Sequence, residues 1–237
     1  MKTKFVFLFL LVFFCIAGCE NSFFGIRGSG PVITQPISID ELNAINMTIS
    51  ADVYFIKGDD QYIEIEAQQN IIDNIERDVD NGMWVIEFDK RVYTHEPVKI
   101  YITTPHVEEI IISGSGDIYT EDMFESDEIE LIISGSGDID FSAKSLVTNI
   151  TISGSGDIYL NGETNVQDVI ISGSGDYNAY DYLSTETEVR IPGSGNCRVN
   201  VSDMLDVDIS GSGNVYYKGY PTIQKTISGS GSVIDSN

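Results

Sequence analysis

The chain of 237 residues sets 13 Lys and Arg against 37 Asp and Glu, a formal net charge of −24. So acidic a surface repels nucleic-acid phosphates and anionic headgroups, which excludes both as partners and leaves divalent cations, basic proteins and neutral glycans. Hydrophobic residues make up 42% and aromatic residues 10%, enough for a packed core and too much for a disordered acidic tail.

The chain opens as an export signal. Lys2 and Lys4 precede an apolar run from Phe5 to Ile16, too short for a comfortable permanent span. Ile16-Ala17-Gly18-Cys19 follows and resembles a bacterial lipobox, which predicts cleavage of residues 1–18 and lipidation of Cys19. A plain secretory signal with an incidental cysteine is the alternative. Acyl chains on Cys19 would hold the protein at either leaflet of an envelope membrane, since each buried methylene adds about 0.8 kcal/mol. Residues 19–31, with Gly25-Ile26-Arg27-Gly28-Ser29-Gly30, read as a tether. Cys15 leaves with the signal, so Cys197 is left without a disulfide partner. His95 and His106 are remote in sequence, and Cys197 reads as a small buried hydrophobe.

Residues 32–105 form an irregular β part. Thr48-Ile49-Ser50-Ala51-Asp52-Val53-Tyr54 looks like a shortened copy of Thr151 to Tyr159 further on, a degenerate first coil. Strands are predicted near Tyr62 to Ala67 and Val98 to Thr103, and a short helical turn within Asn70 to Arg77. Asn81-Gly82, between Ile75 to Val79 and Trp84 to Phe88, is a two-residue hairpin signal.

From residue 106 to 237 the chain repeats. A Ser-Gly-Ser-Gly motif begins at Ser113, Ser134, Ser153, Ser172, Pro192, Ser210 and Ser228, at intervals of 21, 19, 19, 20, 18 and 18 residues. Apolar residues alternate before it, as in Leu131/Ile133, Ile150/Ile152 and Val169/Ile171, the period of a strand with one buried face. After it, Ile118, Ile139, Ile158, Tyr177, Cys197, Val215 and Val233 share one position. Units of about nineteen residues leave no room for crossover helices. They predict an all-β chain, a parallel β-solenoid of the right-handed β-helix kind, in which each coil buries its apolar stripe against the next. Glycine suits a bend or a close approach of backbones, and Pro192 is out of place in a central strand, so the motif belongs at a corner. Lys225 takes an apolar position in the last coil, where a charge blunts an open sheet edge.

Several stretches together resemble one family, the putative auto-transporter adhesin, head GIN domain proteins found as lipoproteins in Bacteroidetes. The resemblance covers Ile37 to Asn237. It rests on Ile49-Ser50-Ala51-Asp52-Val53, Asn70-Ile71-Ile72-Asp73-Asn74-Ile75, the strand from Val98 to Pro105 and the repeated Ser-Gly-Ser-Gly-Asp. It implies an all-β, solenoid-like protein of the cell envelope and brings no catalytic residues. The late coils depart from the pattern, with Asn196, Asn214 and Ser232 in place of the motif Asp.

Two sets of residues are candidates for ligands. Asp117, Asp138, Asp157 and Asp176 stack in the solenoid and could hold calcium, a site that needs six to eight oxygens; carboxylates that each cap their own turn through nearby N–H groups are the competing reading. Tyr119, Tyr159 and Tyr216 follow the core column on the outward side and could stack on sugar rings, against a reading as ordinary surface tyrosines. No residue of the repeat stands apart as an acid, base or nucleophile, and an enzyme is not expected. The expected role is an envelope-anchored binding scaffold for an extracellular protein or glycan. A structural or sensing protein without its own ligand is the alternative.

Overall fold

The computed structural model describes residues 25–120 and 122–237. Its strands are β1 (Ile26–Arg27), β2 (Val32–Ile37), β3 (Ala44–Met47), β4 (Asp52–Lys57) and β5 (Tyr62–Gln68), followed by the helical turn α1 (Gln69–Ile72). Next come β6 (Val79–Asp80), β7 (Met83–Ile86), β8 (Val92–Thr94), β9 (Lys99–Thr104), β10 (Glu109–Ile112), β11 (Ile118–Thr120) and β12 (Phe124–Ile133). Four long strands follow, β13 (Ile139–Ile152), β14 (Ile158–Ile171), β15 (Tyr177–Ile191) and β16 (Cys197–Ile209), then β17 (Val215–Lys218), β18 (Thr222–Ile227) and β19 (Val233–Asp235).

From β10 onward every pairing is parallel and nearly in register, the geometry of a β-solenoid. The column Met47, Ile112, Ile133, Ile152 on one side of the corner and Val53, Ile118, Ile139, Ile158, Tyr177, Cys197, Val215 on the other runs through the interior. All of these side chains are buried, Cys197 included, and belong to one hydrophobic core that extends from Ile37 to Val215.

The Ser-Gly-Ser-Gly motif sits at the corner between the two columns, and close approach is what requires its glycines. None of them takes a positive φ. A Cβ on Gly137 or Gly156 would instead collide with the carbonyl of the glycine one coil below. Ile49 and Ala51 hold the equivalent place in the first coil, because their carbonyls lie under Gly114 and Gly116.

The stretch from residue 32 to 105 shares this core and closes one end of it. β3 and β4 form the coil beneath β10 and β11, and β7 and β9 form a further layer beneath them. β5 adds antiparallel to β9 and β2 antiparallel to β5, while Ile71 and Ile72 of α1 and Trp84 fill the end. Trp84 satisfies its indole N–H on the carbonyl of Glu76, 2.9 Å away. The Asn81-Gly82 hairpin is present, with φ of 51° and 82° at its two residues. At the opposite end β18 carries Lys225 beside Val207, exposed as a charge on an open edge should be.

One expectation needs correction. Residues 25–31 are not a free tether. β1 pairs with β8, Ile26 N–H donates to Arg91 O (2.8 Å) and Gly28 N–H to Thr94 O (2.8 Å). Gln68 and Asn70 supply the remaining partners: Asn70 Oδ1 accepts from Ser29 N–H at 3.0 Å and Gln68 Nε2 donates to Gly30 O at 3.0 Å. Glycine makes this segment slender enough to lie against the fold, and side-chain amides satisfy its backbone. Cys19 and the signal lie outside the described residues.

Candidate functional site

Strand register carries the outward position after the core column along the whole solenoid. In spatial order the row reads Tyr101, Tyr54, Tyr119, Asp140, Tyr159, Asn178, Arg198, Tyr216, Ile234. Side chains in such a row stand roughly perpendicular to the sheet and meet their neighbours one strand away. Tyr101 and Tyr54 stack with centroids 5.2 Å apart and planes 17° apart, and Tyr54 and Tyr119 do so at 5.3 Å and 20°. Within this trio the rings cover each other and show mainly their edges to solvent.

Tyr159 differs. Its row neighbours Asp140 and Asn178 are short, and it stays 45% exposed. Beyond Asn178, Arg198 donates through Nη1 to Asp176 Oδ2 and Asn178 Oδ1, both at 2.9 Å, and lies 5.3 Å over the Tyr216 ring. Beside this row β15 bulges: its pairing to β14 shifts between Tyr159 and Asn161, and its pairing to β16 shifts after Ala179. The extra length turns Tyr182 into the core and Tyr180 outward, where Lys218 Nζ sits 4.5 Å over its ring. Bulges of this kind re-aim side chains beside functional sites. The result is a groove of about 270 Å³ lined by Asp140, Tyr159, Asn161, Asn178, Tyr180 and Arg198 among others.

The hydroxyls are held from behind. Tyr119 donates to Asp117 Oδ2 at 3.2 Å, and burial, with the Asp117 charge and this bond next, pushes its pKa up to about 12. Burial and then the charges of Asp157 and Asp138 raise Tyr159 in the same direction.

Asp117, Asp138, Asp157 and Asp176 do stack in one column, and each spends Oδ1 on the coil above. Asp138 N–H donates to Asp117 Oδ1 at 2.9 Å, Asp157 N–H to Asp138 Oδ1 at 2.7 Å, Asp176 N–H to Asp157 Oδ1 at 2.7 Å and Asn196 N–H to Asp176 Oδ1 at 2.7 Å. The ladder continues from Asn214 N–H to Asn196 Oδ1 and from Ser232 N–H to Asn214 Oδ1. An amide preserves the acceptor without the charge, which explains why the late coils can carry Asn. Each side chain caps the next coil, where the sequence suggested its own turn. Burial alone would raise Asp176; the N–H of Asn196 and the Arg198 guanidinium outweigh it and hold the carboxyl below its ordinary value. Among the described residues no group of three or more His, Cys, Asp and Glu is placed to hold a metal ion.

Thus the row unites Tyr119, Tyr159 and Tyr216, with Tyr159 the most open. Sequence reasoning missed Tyr54 and Tyr101. Aligning Ser50-Ala51-Asp52-Val53-Tyr54 with Ser115-Gly116-Asp117-Ile118-Tyr119 places Tyr54; only the out-of-order pairing of β9 with β4 places Tyr101.

The sequence model of the family described as putative auto-transporter adhesin, head GIN domain matches residues 41–221. The chain belongs to this family. The tyrosine row and the groove fall wholly inside the matched residues. No curated protein matches the sequence. Among solved structures, a putative adhesin from Bacteroides fragilis is 25% identical with a TM-score of 0.84, covering 90% of this chain and 100% of its own. A putative adhesin from Parabacteroides distasonis shares the fold at 22% identity and a TM-score of 0.74, over 89% of this chain and 99% of its own. A protein from the same species described as a putative lipid binding protein is 25% identical with a TM-score of 0.73, over 90% and 99%. The head GIN family and these structures are thus described as adhesins or a binding protein, none of them as an enzyme.

Proposed function

We propose that the protein is a lipid-anchored adhesin of the cell envelope, held by acyl chains on Cys19 and binding an extracellular protein or glycan through the outer face of its solenoid. The observation that carries this reading is the groove at the β15 bulge. There the repeat departs from regularity on the outside while its core columns continue. Membership of the head GIN family supports the adhesin role, and the lipobox supports the anchor. No helix among the described residues is long and apolar enough to cross a membrane, and an acyl anchor needs none. The motif carboxylates are occupied with backbone N–H groups, and the row holds no acid–base pair in a cleft, which supports a binding role over a catalytic one.

The test is labelling of intact cells with a membrane-impermeant reagent, combined with adhesion of the full chain to matrix proteins and glycans. Surface labelling with adhesion is the expected result. A protein neither labelled nor adherent would be a periplasmic structural or sensing element. Cys19→Ser should release the protein from membranes; retention would overturn the anchor.

A further inference from the structure

The groove at Tyr159 has a chemistry narrower than adhesion in general. Tyr119 and Tyr159 are separated by one row position, as are Tyr159 and Arg198, so each gap is about 9.6 Å, two strand spacings. Such a gap admits one ring-thick group against a Tyr159 face, with Asp140 at the floor of one gap and Asn178 at the floor of the other. The donors and acceptors then decide what enters. Asp140 is exposed and offers acceptors alone. Asn178, which lines the groove, gives its Oδ1 to Arg198, which leaves its amide nitrogen as a donor. A ligand that only donates, such as an ammonium or guanidinium, leaves that donor unmatched. The Tyr216 and Tyr180 faces beside the groove already carry the chain's own Arg198 and Lys218. An anionic ligand meets Asp140, Asp181 and a net charge of −24, while Arg198 is already paired with Asp176. What remains is a neutral molecule with an apolar face and hydroxyls that both donate and accept.

We infer that this groove binds a neutral glycan, with one sugar ring stacked on Tyr159 and hydroxyls bonded by Asp140 and Asn178. This deepens the adhesin reading and rests on it. One gap on each side of Tyr159 leaves either face of the ring open to that sugar. Tyr159 stands on β14, paired on both sides by β13 and β15, so the platform exists before the ligand arrives.

The experiment applies the detergent-solubilised full chain to an array of neutral and anionic glycans, and follows each hit by calorimetric titration. Neutral glycans should bind, and Tyr159→Ala should weaken binding at least tenfold, about 1.4 kcal/mol. Asn178→Ala should weaken it severalfold, while Tyr62→Ala, an exposed tyrosine away from the groove, should leave it within twofold. Circular dichroism checks that each variant keeps its β-structure. Silence toward neutral glycans, preference for anionic ones, or full binding by a folded Tyr159→Ala protein overturns the inference. So does Tyr159-dependent capture of an oligo-arginine peptide without any glycan. If matrix proteins still bind while the glycan array is silent, the adhesin reading stands and this inference alone fails; silence in both removes both.

Discussion

Replacing Gly156 with alanine tests how the coils touch. The added Cβ would meet the carbonyl of Gly137 in the coil below, with the carbonyl carbon at 2.8 Å and Ser136 C at 3.1 Å, all of it backbone. Carbon atoms pack best about 3.5–4.0 Å apart, so the coils must part by about 1 Å locally. Two bonds across that seam are then stretched: Ser155 N–H to Gly135 O at 3.0 Å and Asp157 N–H to Asp138 Oδ1 at 2.7 Å. Two hydrogen bonds at about 1 kcal/mol each, with about 1–3 kcal/mol of overpacking strain, predict a loss of about 3–5 kcal/mol. For a chain of this size that lowers the melting temperature by roughly 6–20 °C. Thermal melts followed by circular dichroism measure it, with Ser155→Ala, an exposed neighbour, as the control expected within about 0.5 kcal/mol. A Gly156→Ala protein that melts within a degree of wild type would refute the argument that backbone contact, and not bending, demands the motif glycines.

Other consequences follow from the same structure. Burial pushes the Cys197 thiol far up, so Cys197 should not react with an aromatic disulfide reagent in the folded protein and should react after denaturation; modification of Cys197 in the native state would contradict its place in the core column. Tyr119 is held neutral up to about 12 against about 10 unfolded, so its contribution to stability is complete below pH 10 and lost as pH rises toward 12. Tyr119→Phe should therefore flatten the alkaline limb of the stability curve, and an unchanged limb would count against the burial of its hydroxyl beside Asp117. Asp176 has a lowered pKa, so its stabilisation is present above the ordinary carboxylate value of about 4 and lost as pH falls through the folded value. Arg198→Ala should cost about 1 kcal/mol at pH 7, with the deficit shrinking in acid in urea titrations. Removing calcium with a chelator should leave the melting temperature unchanged; a drop of several degrees would assign the Asp column to metal after all.

The architecture was legible because the interior obeys two simple periods. Alternation of two marked the strands, and the return of Ile, Val, Tyr177 and Cys197 at one offset marked the coils. Asn81-Gly82 announced its hairpin through conformations few other residues adopt. What was not legible depends on contacts between segments distant in sequence. β9 follows β4 in the chain by some forty residues yet lies beside it, which sets Tyr101 against Tyr54. The docking of residues 25–31 depends on Gln68 and Asn70, whose amides look like ordinary polar surface until the fold brings them across. The Asp column was visible as a repeat, but a carboxylate that reaches an N–H one coil away has the same sequence signature as one that caps its own turn. The groove was foreshadowed only by the interval of 20 residues from Ser172 to Pro192, one residue longer than the two before it, which is where β15 bulges.

The alternation along each strand has a further consequence for how such a protein can change. Inward positions answer to the coil above and below, and a substitution there disturbs its whole column. Outward positions such as 140, 159 and 178 lie away from the core columns, so they can be rewritten residue by residue while folding goes on under the same constraints. A lineage under pressure to recognise new surfaces can therefore explore that row as an alphabet, with the interior as its unchanging page.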